Sequence, residues 1–484
     1  MATTMPELAH AELFRSGAVG AEGVLSVDNP ATRELLGEVA ALSASETEAV
    51  LLRAHAVQPG WAKLAAGDRA RILHRFADLI LDRQDDLARI LVAEQGKPMA
   101  EASGEIAYAA SFLSWFAEEG RRAYGEMIPG VAADQRLLVM KRPVGLAAAI
   151  TPWNFPAAMI TRKVAPALAA GCAIVVKPSE HTPFTALALE ALAHEAGLPE
   201  GLFAVVTGHA HSVGSVLTGH AAVAKFSFTG STAVGRLLTA QCAPTMKRVS
   251  MELGGNAPLI VFDDADIDAA VEGAMVAKFR NSGQTCVCAN RILVHSSIHD
   301  RFAEALVARA AALAVGNGLD GPTQQGPLIT RGALERVQAH VADAVSRGGR
   351  LLTGGGTHPA GENFFWPTVI AGAHDGMRLA SEETFGPVAP LFRFESEAEA
   401  IALANATRSG LAAYAFSRDI ERFWRVSEAL EVGMVGFNTG AISSEVVPFG
   451  GVKESGLGRE GSRHGLDEYL DMRLVCLRLN ERGA

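Results

Sequence analysis

The sequence predicts an α/β fold in which helices cover parallel β-sheets, and two observations carry that prediction. Short apolar runs alternate with helical patterns, beginning with the runs at 146–150, 173–176, 203–206 and 224–228. A similar alternation resumes near residue 257 and continues towards the end of the chain. Alternating strands and helices are typical of βαβ units, whose strands are parallel. A chain of 484 residues has room for two or three such domains.

The first part of the chain, up to about residue 120, is predicted to be helical after a short irregular start. Ser45 and Glu48 have the spacing of a capping box at a helix N-terminus. Thr182 and Pro183 predict the N-cap and first position of a helix that ends near Glu195. The second alternating series is predicted to contain strands at 258–262, 291–295 and 388–393 and helices near 299–313, 333–347 and 420–430.

Charge and composition argue against several classes of protein. The formal net charge is -10 and no block of Lys or Arg occurs, so nucleic-acid binding is not expected. No apolar run has the length of a membrane span. Residues 1–20 lack a basic segment followed by an apolar one, so no signal peptide is expected. The five cysteines suit a reducing compartment better than a disulfide framework, and we therefore expect a cytoplasmic location.

A glycine-containing segment, FTGSTAVG at 228–235, follows a predicted strand and opens a predicted helix. Backbone N–H groups at such a turn lie at the positive end of the helix, where phosphate groups bind. Gly230 and Gly235 stand five residues apart, which does not match the GxGxxG pattern. Taken alone, the segment leaves two interpretations open: a phosphate site or an ordinary tight turn.

The segment NSGQTCVCAN at 281–290 contains a candidate nucleophile, Cys286. It joins a helix to a strand, a place where a cysteine can face a cleft and meet backbone amides that stabilise its thiolate and an oxyanion. A half-buried structural cysteine is the alternative. Cys286 and Cys288 are not accompanied by a second cysteine pair or a suitably spaced histidine, so no metal site is predicted.

Seven segments occur in the order found in the aldehyde dehydrogenase superfamily and together span nearly the whole chain. They are PWNFP at 152–156, KPSEHTP at 177–183, FTGSTAVG at 228–235, MELGGNAP at 251–258, GQTCVCANR at 283–291, EETFGP at 382–387 and PFGGVKESGLGREG at 448–461. The sequence therefore resembles that superfamily. The resemblance implies two Rossmann-like parallel-sheet domains, one nucleotide-binding and one catalytic, and a small β oligomerisation arm.

The resemblance also implies where these parts lie. The nucleotide-binding domain is expected at 1–122 and 144–253, the catalytic domain at 254–465, and the arm at 123–143 and 466–484. Because the arms of this superfamily pair strands between subunits, a homodimer or homotetramer is expected.

Three residues match the catalytic positions of the superfamily. Cys286 matches the nucleophile, Asn154 the donor that stabilises the oxyanion together with the Cys286 amide, and Glu252 the general base that activates water. Superfamily members that pass the acyl group to coenzyme A generally lack this base, so Glu252 implies hydrolysis of a thioester. The alternative of another class is a non-enzymatic structural protein that retains the fold, and the intact set of three residues speaks against it.

A nicotinamide cofactor is implied as well, with NAD preferred and NADP possible. Lys177 and Glu180 match residues at the adenosine ribose, where a carboxylate repels a 2′-phosphate. Ser231 and its glycines match the pyrophosphate site, and Glu383 and Phe385 match residues at the nicotinamide ribose and ring. The expected cofactor-binding residues are Pro152, Trp153, Lys177, Ser179, Glu180, Gly214, Phe228, Gly230, Ser231, Gly235, Leu253, Glu383 and Phe385.

Within the superfamily, the sequence is most similar to succinate-semialdehyde dehydrogenases, through segments at 160–173, 278–291 and 436–451. Arg162, Arg280 and Ser443 match the positions that hold the distal carboxylate of the substrate, a small semialdehyde. Glutarate semialdehyde is the alternative substrate, because two arginines suit either carboxylate. Cys288 lies two residues from the nucleophile and is the candidate partner in a reversible disulfide that blocks it.

Overall fold

The computed structural model describes residues 19–479. Residues 1–18 and 480–484 lie outside this range, and with them most of the segment on which the expectation of no signal peptide rests. Within the described range, no helix has both the length and the apolar character needed to cross a lipid bilayer.

The α-helices of the described residues are, in chain order, α1 (Ala44–Ala62), α2 (Ala66–Asp82), α3 (Gln84–Gln95), α4 (Met99–Arg121), α5 (Ala158–Ala170), α6 (Pro183–Glu195), α7 (Ala210–Gly219), α8 (Thr232–Cys242), α9 (Ile267–Phe279), α10 (His299–Ala311), α11 (Arg331–Ser346), α12 (Arg378–Ser381), α13 (Glu397–Asn405), α14 (Ile420–Ala429) and α15 (Ser462–Asp467). Short 3-10 turns follow α8 at Ala243–Thr245 and α9 at Arg280–Gly283.

The strands are β1 (Val24–Asp28), β2 (Leu35–Ala40), β3 (Glu126–Pro129), β4 (Gln135–Pro143), β5 (Leu146–Ile150), β6 (Ala173–Lys177), β7 (Phe203–Val205), β8 (Val223–Thr229), β9 (Arg248–Glu252), β10 (Ala257–Val261), β11 (Ala289–His295), β12 (Arg350–Thr353), β13 (Thr368–Ala371), β14 (Val388–Phe394), β15 (Ser409–Gly410), β16 (Ala412–Phe416), β17 (Met434–Phe437), β18 (Val452–Lys453), β19 (Gly456–Leu457) and β20 (Leu470–Arg478).

One large sheet has six strands in the order β19-β9-β8-β5-β6-β7, and its strands from β9 to β7 are parallel. The sequences of β5 and β6, LAAAI and AIVVK, are almost entirely buried, as expected for strands covered by helices on both faces. From β5 the chain runs outwards to β6 and β7 and then returns to β8 on the other side of β5. Ligands of open α/β sheets bind at the carboxyl ends of strands beside such a reversal.

The second large sheet has seven strands in the order β12-β13-β14-β11-β10-β16-β17, and all pairs except β12-β13 are parallel. Successive residues of β10 face opposite sides. Leu259 packs in one apolar cluster with Phe302 of α10, and Ile260 packs in another with Leu334 of α11. Helices therefore cover both faces of this sheet too, and the predicted α/β fold is confirmed.

A third, smaller sheet is antiparallel, with the order β20-β4-β3. It carries large apolar side chains that are exposed in the single chain, among them Met127 (74%), Met472 (75%) and Leu474 (63%). Met127 pairs with Leu138, whereas Leu474 pairs with Val139, so exposed apolar side chains lie on both faces of this sheet. Such a concentration is typical of an interaction site.

Two details predicted for the N-terminal part are wrong. The residues before α1 form an antiparallel hairpin of β1 and β2. The capping box lies at Ser43 and Glu46: the Ser43 N–H donates to Glu46 Oε2 at 2.8 Å, and the Glu46 N–H donates to Ser43 Oγ at 3.3 Å. Both serine–glutamate pairs have the same spacing, but Glu46 also accepts the Ala21 N–H at 3.0 Å. This contact from a distant part of the chain favours the earlier pair.

Candidate active site

A cavity of about 250 Å³ lies where loops of the two large sheets meet. Residues that follow β5, β8 and β9 line one part of it, and the loop between α9 and β11 lines another. The cavity brings together the six residues that sequence analysis expected in catalysis and substrate binding: Asn154, Arg162, Glu252, Arg280, Cys286 and Ser443.

Cys286 follows a sharp turn in the loop between α9 and β11. Asn281, Ser282 and Gly283 have φ values of 51°, 57° and 73°. Left-handed backbone is unfavourable for a serine, and strain of this kind persists only where the surroundings enforce it. The shape of the nucleophile loop therefore depends on contacts from other parts of the chain.

The N-terminal helices supply those contacts. The Asn281 N–H donates to Glu101 Oε2 at 2.8 Å, and Gln95 Nε2 donates to Asn281 Oδ1 at 3.0 Å. Asn281 Nδ2 in turn donates to the carbonyl of Asn154 at 3.0 Å. One buried amide thus connects the nucleophile loop to the loop that carries the expected oxyanion donor.

The Cys286 thiol is partly exposed to the cavity. Burial, and then the nearby Glu383 carboxylate, raise its pKa, the charges of Arg162 and Arg280 lower it, and the result is a pKa of about 12. A Cβ on Gly255 would lie 2.3 Å from the Cys286 carbonyl oxygen, so only glycine lets the loop after β9 approach the nucleophile this closely. The raised pKa of Cys286 favours the protonated thiol, and the two arginines partly offset this effect.

Asn154 is buried in the loop after β5. Its Nδ2 donates to the Gln284 carbonyl at 3.0 Å, which uses one of the two N–H groups of the amide. A buried ion pair between Lys97 and Glu105 positions the backbone here, because Lys97 Nζ donates to the Asn154 carbonyl at 2.8 Å. The second N–H of the amide remains for an acceptor in the cavity.

Glu252 ends β9, and both of its carboxyl oxygens are buried without a hydrogen-bond partner in residues 19–479. Burial, and then the charge of Glu460, raise the pKa of Glu252 well above 4.5, while Lys163 and Arg162 lower it. A carboxyl with a raised pKa and free oxygens has the properties that general-base catalysis near neutral pH requires.

Glu460 and Lys163 form a buried ion pair that sequence analysis did not assign. Lys163 Nζ lies 2.6 Å from both Glu460 Oε1 and Thr229 Oγ1. Both residues belong to segments recognised in the sequence, ITRKVAP and GLGREG, but their charges are far apart along the chain. In the sequence, the one indication of this buried ion pair is that Lys163 directly follows Arg162, so two positive charges are adjacent.

Several of the expected nucleotide-binding residues lie at the carboxyl edge of the six-stranded sheet. Pro152 and Trp153 follow β5, Lys177 ends β6, and Gly230 and Ser231 follow β8. These three strands are the ones beside the reversal of strand order. The site therefore lies where nucleotides bind in open α/β sheets.

The glycines of this turn allow close packing. A Cβ on Gly230 would lie 2.4 Å from the ring of Phe228, and a Cβ on Gly235 would lie 2.3 Å from the Leu253 side chain. Ser231 is the exposed N-cap of α8. The turn thus presents the N-terminus of α8 to solvent, an arrangement that fits a pyrophosphate.

The remaining residues expected near the adenosine differ in their contacts, and one of them does not line the cavity. Lys177 is 3% exposed, and its Nζ lies 3.4 Å from Glu180 Oε1. The Ser179 hydroxyl oxygen accepts the His181 N–H at 3.2 Å. Gly214 is buried in α7, packs towards Ile150 and does not line the cavity.

Glu383 and Phe385, the residues expected at the nicotinamide ribose and ring, line the cavity together with Cys286. Glu383 Oε1 accepts the Gly255 N–H at 3.2 Å, and burial raises the pKa of Glu383 to about 7. Phe385 has a φ of 52°, and its ring packs edge-on against Trp153 with 5.6 Å between centroids. The residues present therefore fit a dinucleotide that extends from the sheet edge to the thiol.

The sequence model of the aldehyde dehydrogenase family matches residues 19–475. The chain belongs to this family. It is 57% identical to 3-sulfolactaldehyde dehydrogenase of Pseudomonas putida, over 93% of each chain. It is 56% identical to the NADP+ succinate-semialdehyde dehydrogenase of Escherichia coli K12, over 94% of each chain. Its identity to glutarate-semialdehyde dehydrogenase of Pseudomonas aeruginosa is 53%, over 97% of this chain and 99% of the relative.

Solved structures of the family share the fold. The crystal structure of an aldehyde dehydrogenase from Brucella melitensis biovar abortus 2308 has a TM-score of 0.97 and 54% identity, and covers 99% of this chain and 100% of that chain. Betaine aldehyde dehydrogenase from Staphylococcus aureus, in complex with NAD+, has a TM-score of 0.92 and 34% identity, with 96% and 94% covered.

In this aldehyde dehydrogenase, two arginines share the cavity with the thiol. Arg162 of α5 is 2% exposed and donates from Nη2 to the Tyr108 hydroxyl at 2.7 Å. Its Nε and Nη1 have no hydrogen-bond acceptor in the described chain, although Nη1 lies 3.7 Å from Glu460 Oε2. Arg280 follows α9 and stacks on Phe155, with 5.4 Å between Cζ and the ring centroid. Tyr108 was not expected from the sequence.

Cys288 occupies a different environment from Cys286. It is buried and does not line the cavity, and Lys278 Nζ lies 3.3 Å from its sulfur. A disulfide between the two cysteines therefore requires the loop to rearrange, and the redox role of Cys288 stays a prediction. In residues 19–479, no group of three or more His, Cys, Asp or Glu side chains is placed to hold a metal ion.

Proposed function

We propose that this aldehyde dehydrogenase oxidises succinate semialdehyde to succinate with NAD+ or NADP+. The observation that carries the proposal is Arg162, a buried guanidinium whose Nε and Nη1 lack acceptors in the described chain and which lines the cavity beside Cys286.

A guanidinium has five N–H donors and cannot accept a hydrogen bond. Burying such donors without acceptors is unfavourable, and Glu460 lies at 3.7 Å, beyond hydrogen-bond distance. A carboxylate supplies two oxygens that match the planar fork of an arginine. The carboxylate of succinate semialdehyde can therefore accept hydrogen bonds from Arg162 while the aldehyde at its other end contacts the Cys286 thiol.

Arg280 and Ser443 support the same substrate class. Arg280 lies at the end of α9 and Ser443 in the loop after β17, and both line the cavity with Arg162. Donors from three separate elements thus converge on one space. An uncharged aldehyde of the same length leaves them without acceptors, so we expect it to be a poor substrate.

The first half of the reaction follows from the residues around Cys286. Cys286 loses its proton to solvent and adds as a thiolate to the aldehyde carbon, and the charges of Arg162 and Arg280 favour this deprotonation. The free N–H of Asn154 is available to donate to the oxyanion that forms. Nicotinamide, when bound, accepts the hydride that leaves this carbon.

The second half is hydrolysis of the thioester on Cys286. Glu252 takes a proton from water, and its raised pKa suits this role near neutral pH. Because its oxygens make no hydrogen bond in the described chain, they are available to a water molecule in the cavity. The water oxygen adds to the thioester carbon, the C–S bond breaks, and succinate leaves.

The residues expected at the cofactor would hold either nicotinamide dinucleotide, and we infer a preference for NAD+. The Glu180 carboxylate lies beside Lys177, as expected for a residue that accepts hydrogen bonds from ribose hydroxyls and repels a 2′-phosphate. Lys177 partly offsets that repulsion. The printed name of the Escherichia coli relative specifies NADP+, so use of both cofactors is compatible with the family.

Glutarate semialdehyde is the second candidate substrate. The names of the three relatives specify succinate semialdehyde, glutarate semialdehyde and 3-sulfolactaldehyde, each of which carries an acidic group at a distance from the aldehyde. Two arginines suit all three acidic groups, and the distance to the thiol decides among them. The ratio of kcat/KM for the two dicarboxylic semialdehydes measures that choice.

The proposal extends to assembly and location. The exposed apolar residues of the β20-β4-β3 sheet support strand pairing between subunits in a homodimer or homotetramer, with 123–143 and 466–484 as the arm. We assign nucleotide binding to 1–122 and 144–253 and the thiol chemistry to 254–465. We also propose that the enzyme is cytoplasmic.

The test compares succinate semialdehyde with butanal, its uncharged analogue, by following absorbance at 340 nm. Loss of a charge-assisted pair should cost about 2–5 kcal/mol, or about 30- to 5,000-fold in kcat/KM, in favour of the semialdehyde. Arg280→Ala should lower kcat/KM for the semialdehyde by a similar factor and kcat/KM for butanal much less, because the uncharged aldehyde loses only the effect of Arg280 on the thiolate.

Arg309→Ala is the matched control, because Arg309 is an exposed arginine paired with Glu272 outside the cavity. It should leave both substrates unchanged. Equal kcat/KM of the wild-type enzyme for the two aldehydes would show that the cavity does not recognise a carboxylate.

A further inference from the structure

Tyr108 of α4 is a half-buried residue whose side chain reaches the cavity. Its hydroxyl lies 2.7 Å from Arg162 Nη2. It is the hydrogen-bond acceptor that the described chain offers to this guanidinium, since Nε and Nη1 have none. The position of the most buried cation in the cavity therefore depends on a tyrosine.

The direction of this hydrogen bond is fixed by chemistry. A guanidinium only donates, so the tyrosine oxygen accepts, and the hydroxyl proton is left to be donated elsewhere. In residues 19–479 the hydroxyl makes no other hydrogen bond. The Tyr108 hydroxyl therefore has a proton without an acceptor in the described chain, and it lies beside the unpaired N–H groups of Arg162 in the cavity that contains Cys286.

The surroundings of Arg162 leave few other ways to satisfy these donors. The rings of Phe449 and Phe112 lie 4.2 Å and 5.1 Å from its Cζ, and the Tyr108 ring lies at 5.7 Å. Aromatic faces attract a cation but provide no oxygen acceptor. A molecule in the cavity can supply oxygen acceptors for both the guanidinium and the phenol, because both residues line it.

We propose that Tyr108 determines specificity for anionic aldehydes by donating its hydroxyl proton to the distal carboxylate of the substrate while it accepts from Arg162. The inference rests on the proposed function and adds a donor that the sequence did not indicate. Each hydrogen bond of such a chain polarises the next, so the pair binds an anion more tightly than either residue alone.

The first experiment compares Tyr108→Phe with the wild-type enzyme on succinate semialdehyde and butanal. The KM for the semialdehyde should rise about 10- to 100-fold, the range expected for a lost hydrogen bond to a charged group. Its kcat should change by less than about twofold, and kcat/KM for butanal should be unchanged. The inhibition constant of the product succinate should rise by the same factor as the KM.

Two further variants sharpen the test. Tyr124→Phe removes the hydroxyl of a tyrosine that is 72% exposed in the single chain and outside the cavity, and it should leave the KM for the semialdehyde and the inhibition by succinate unchanged. In an Arg162→Gln background, adding Tyr108→Phe should still raise the semialdehyde KM several-fold, because the phenol donates directly to the substrate. No further rise in that background would overturn direct donation.

The outcomes separate the two proposals. If the wild-type enzyme does not prefer succinate semialdehyde to butanal, the proposed function fails and the role of Tyr108 fails with it. If it does, and Tyr108→Phe keeps the wild-type KM and succinate inhibition, the proposed function stands and this inference is wrong. Equal losses on both aldehydes, with a lowered Tm, would show that Tyr108 only packs and would also overturn it.

Discussion

Replacing Glu252 with glutamine should separate the two halves of the reaction. Glutamine has nearly the same shape as glutamate but cannot take a proton from water. Neither oxygen of Glu252 makes a hydrogen bond in the described chain, so the substitution breaks no such contact there. Cys286 should still form the thioester, with transfer of the hydride to the nicotinamide cofactor supplied in the assay, and the thioester should then persist.

The magnitude follows from the role of the carboxylate. Removal of a positioned general base costs about 100- to 10,000-fold in rate, which corresponds to about 3–5 kcal/mol in activation free energy. We therefore expect steady-state kcat to fall by that factor. The first turnover should remain fast, since the arginines that favour the thiolate are unchanged.

A stopped-flow measurement at 340 nm tests this prediction. Glu252→Gln should give a burst of about one reduced cofactor per active site, followed by a slow steady phase. In the wild-type enzyme, kcat should rise with pH through the raised pKa of Glu252, because only the carboxylate accepts the proton. Glu272→Gln, at an exposed glutamate paired with Arg309, is the matched control and should behave as wild type.

The same pKa shift predicts a change in stability. Between the unfolded value of 4.5 and the higher pKa in the folded enzyme, the folded state holds a proton that the unfolded state has lost. The contribution of Glu252 to the free energy of unfolding is therefore present below pH 4.5 and declines as pH rises through the folded pKa. Glu252→Gln should lack this decline.

Two kinetic outcomes would refute the role assigned to Glu252. One is a Glu252→Gln variant with steady turnover near that of wild type. The other is a variant with no burst although Cys286 still reacts with a thiol reagent.

Three further predictions concern the nucleophile, the cofactor and the second cysteine. Cys286→Ala should abolish turnover and leave cofactor affinity nearly intact, and turnover above about a hundredth of wild type would contradict covalent catalysis. Glu180→Ser should shift preference from NAD+ towards NADP+ in fluorescence titrations, and tighter binding of NADP+ than of NAD+ by the wild type would contradict the inferred preference. Peroxide should inactivate the wild-type enzyme and dithiothreitol should restore it, whereas Cys288→Ala should not recover because its Cys286 oxidises further. Equal recovery of both proteins would remove the proposed disulfide.

The residues proposed as nucleophile, base and oxyanion donor could be selected from the sequence, because each lies in a short segment with a specific composition. The cavity contains Cys286, Glu252 and Asn154 together, although 132 positions separate the first from the last. The resemblance to a family supplied that juxtaposition. Composition and periodicity alone left Cys286 open to a purely structural interpretation.

The elements near the site were predictable for local reasons. Thr182 and Pro183 mark the start of α6, and the apolar runs of β5 and β6 mark buried parallel strands. The capping box shows where local reasoning stops. Ser43 with Glu46 and Ser45 with Glu48 have the same spacing, and a backbone N–H from residue 21 decides between them.

The sequence by itself determined the α/β fold class and the strands and helices around the site, because hydrophobic period, capping residues and motif composition are local properties. It missed the β1-β2 hairpin near the N-terminus. Only the tertiary structure decided which charges meet. Glu460 pairs with Lys163 and lies near Arg162, although about 300 positions separate it from both. Arg162 donates to the Tyr108 hydroxyl, which belongs to another helix, and Lys278 donates to the sulfur of Cys288. These contacts depend on the packing of distant elements, and no local pattern encodes the distance between two side chains that meet only after the chain has folded.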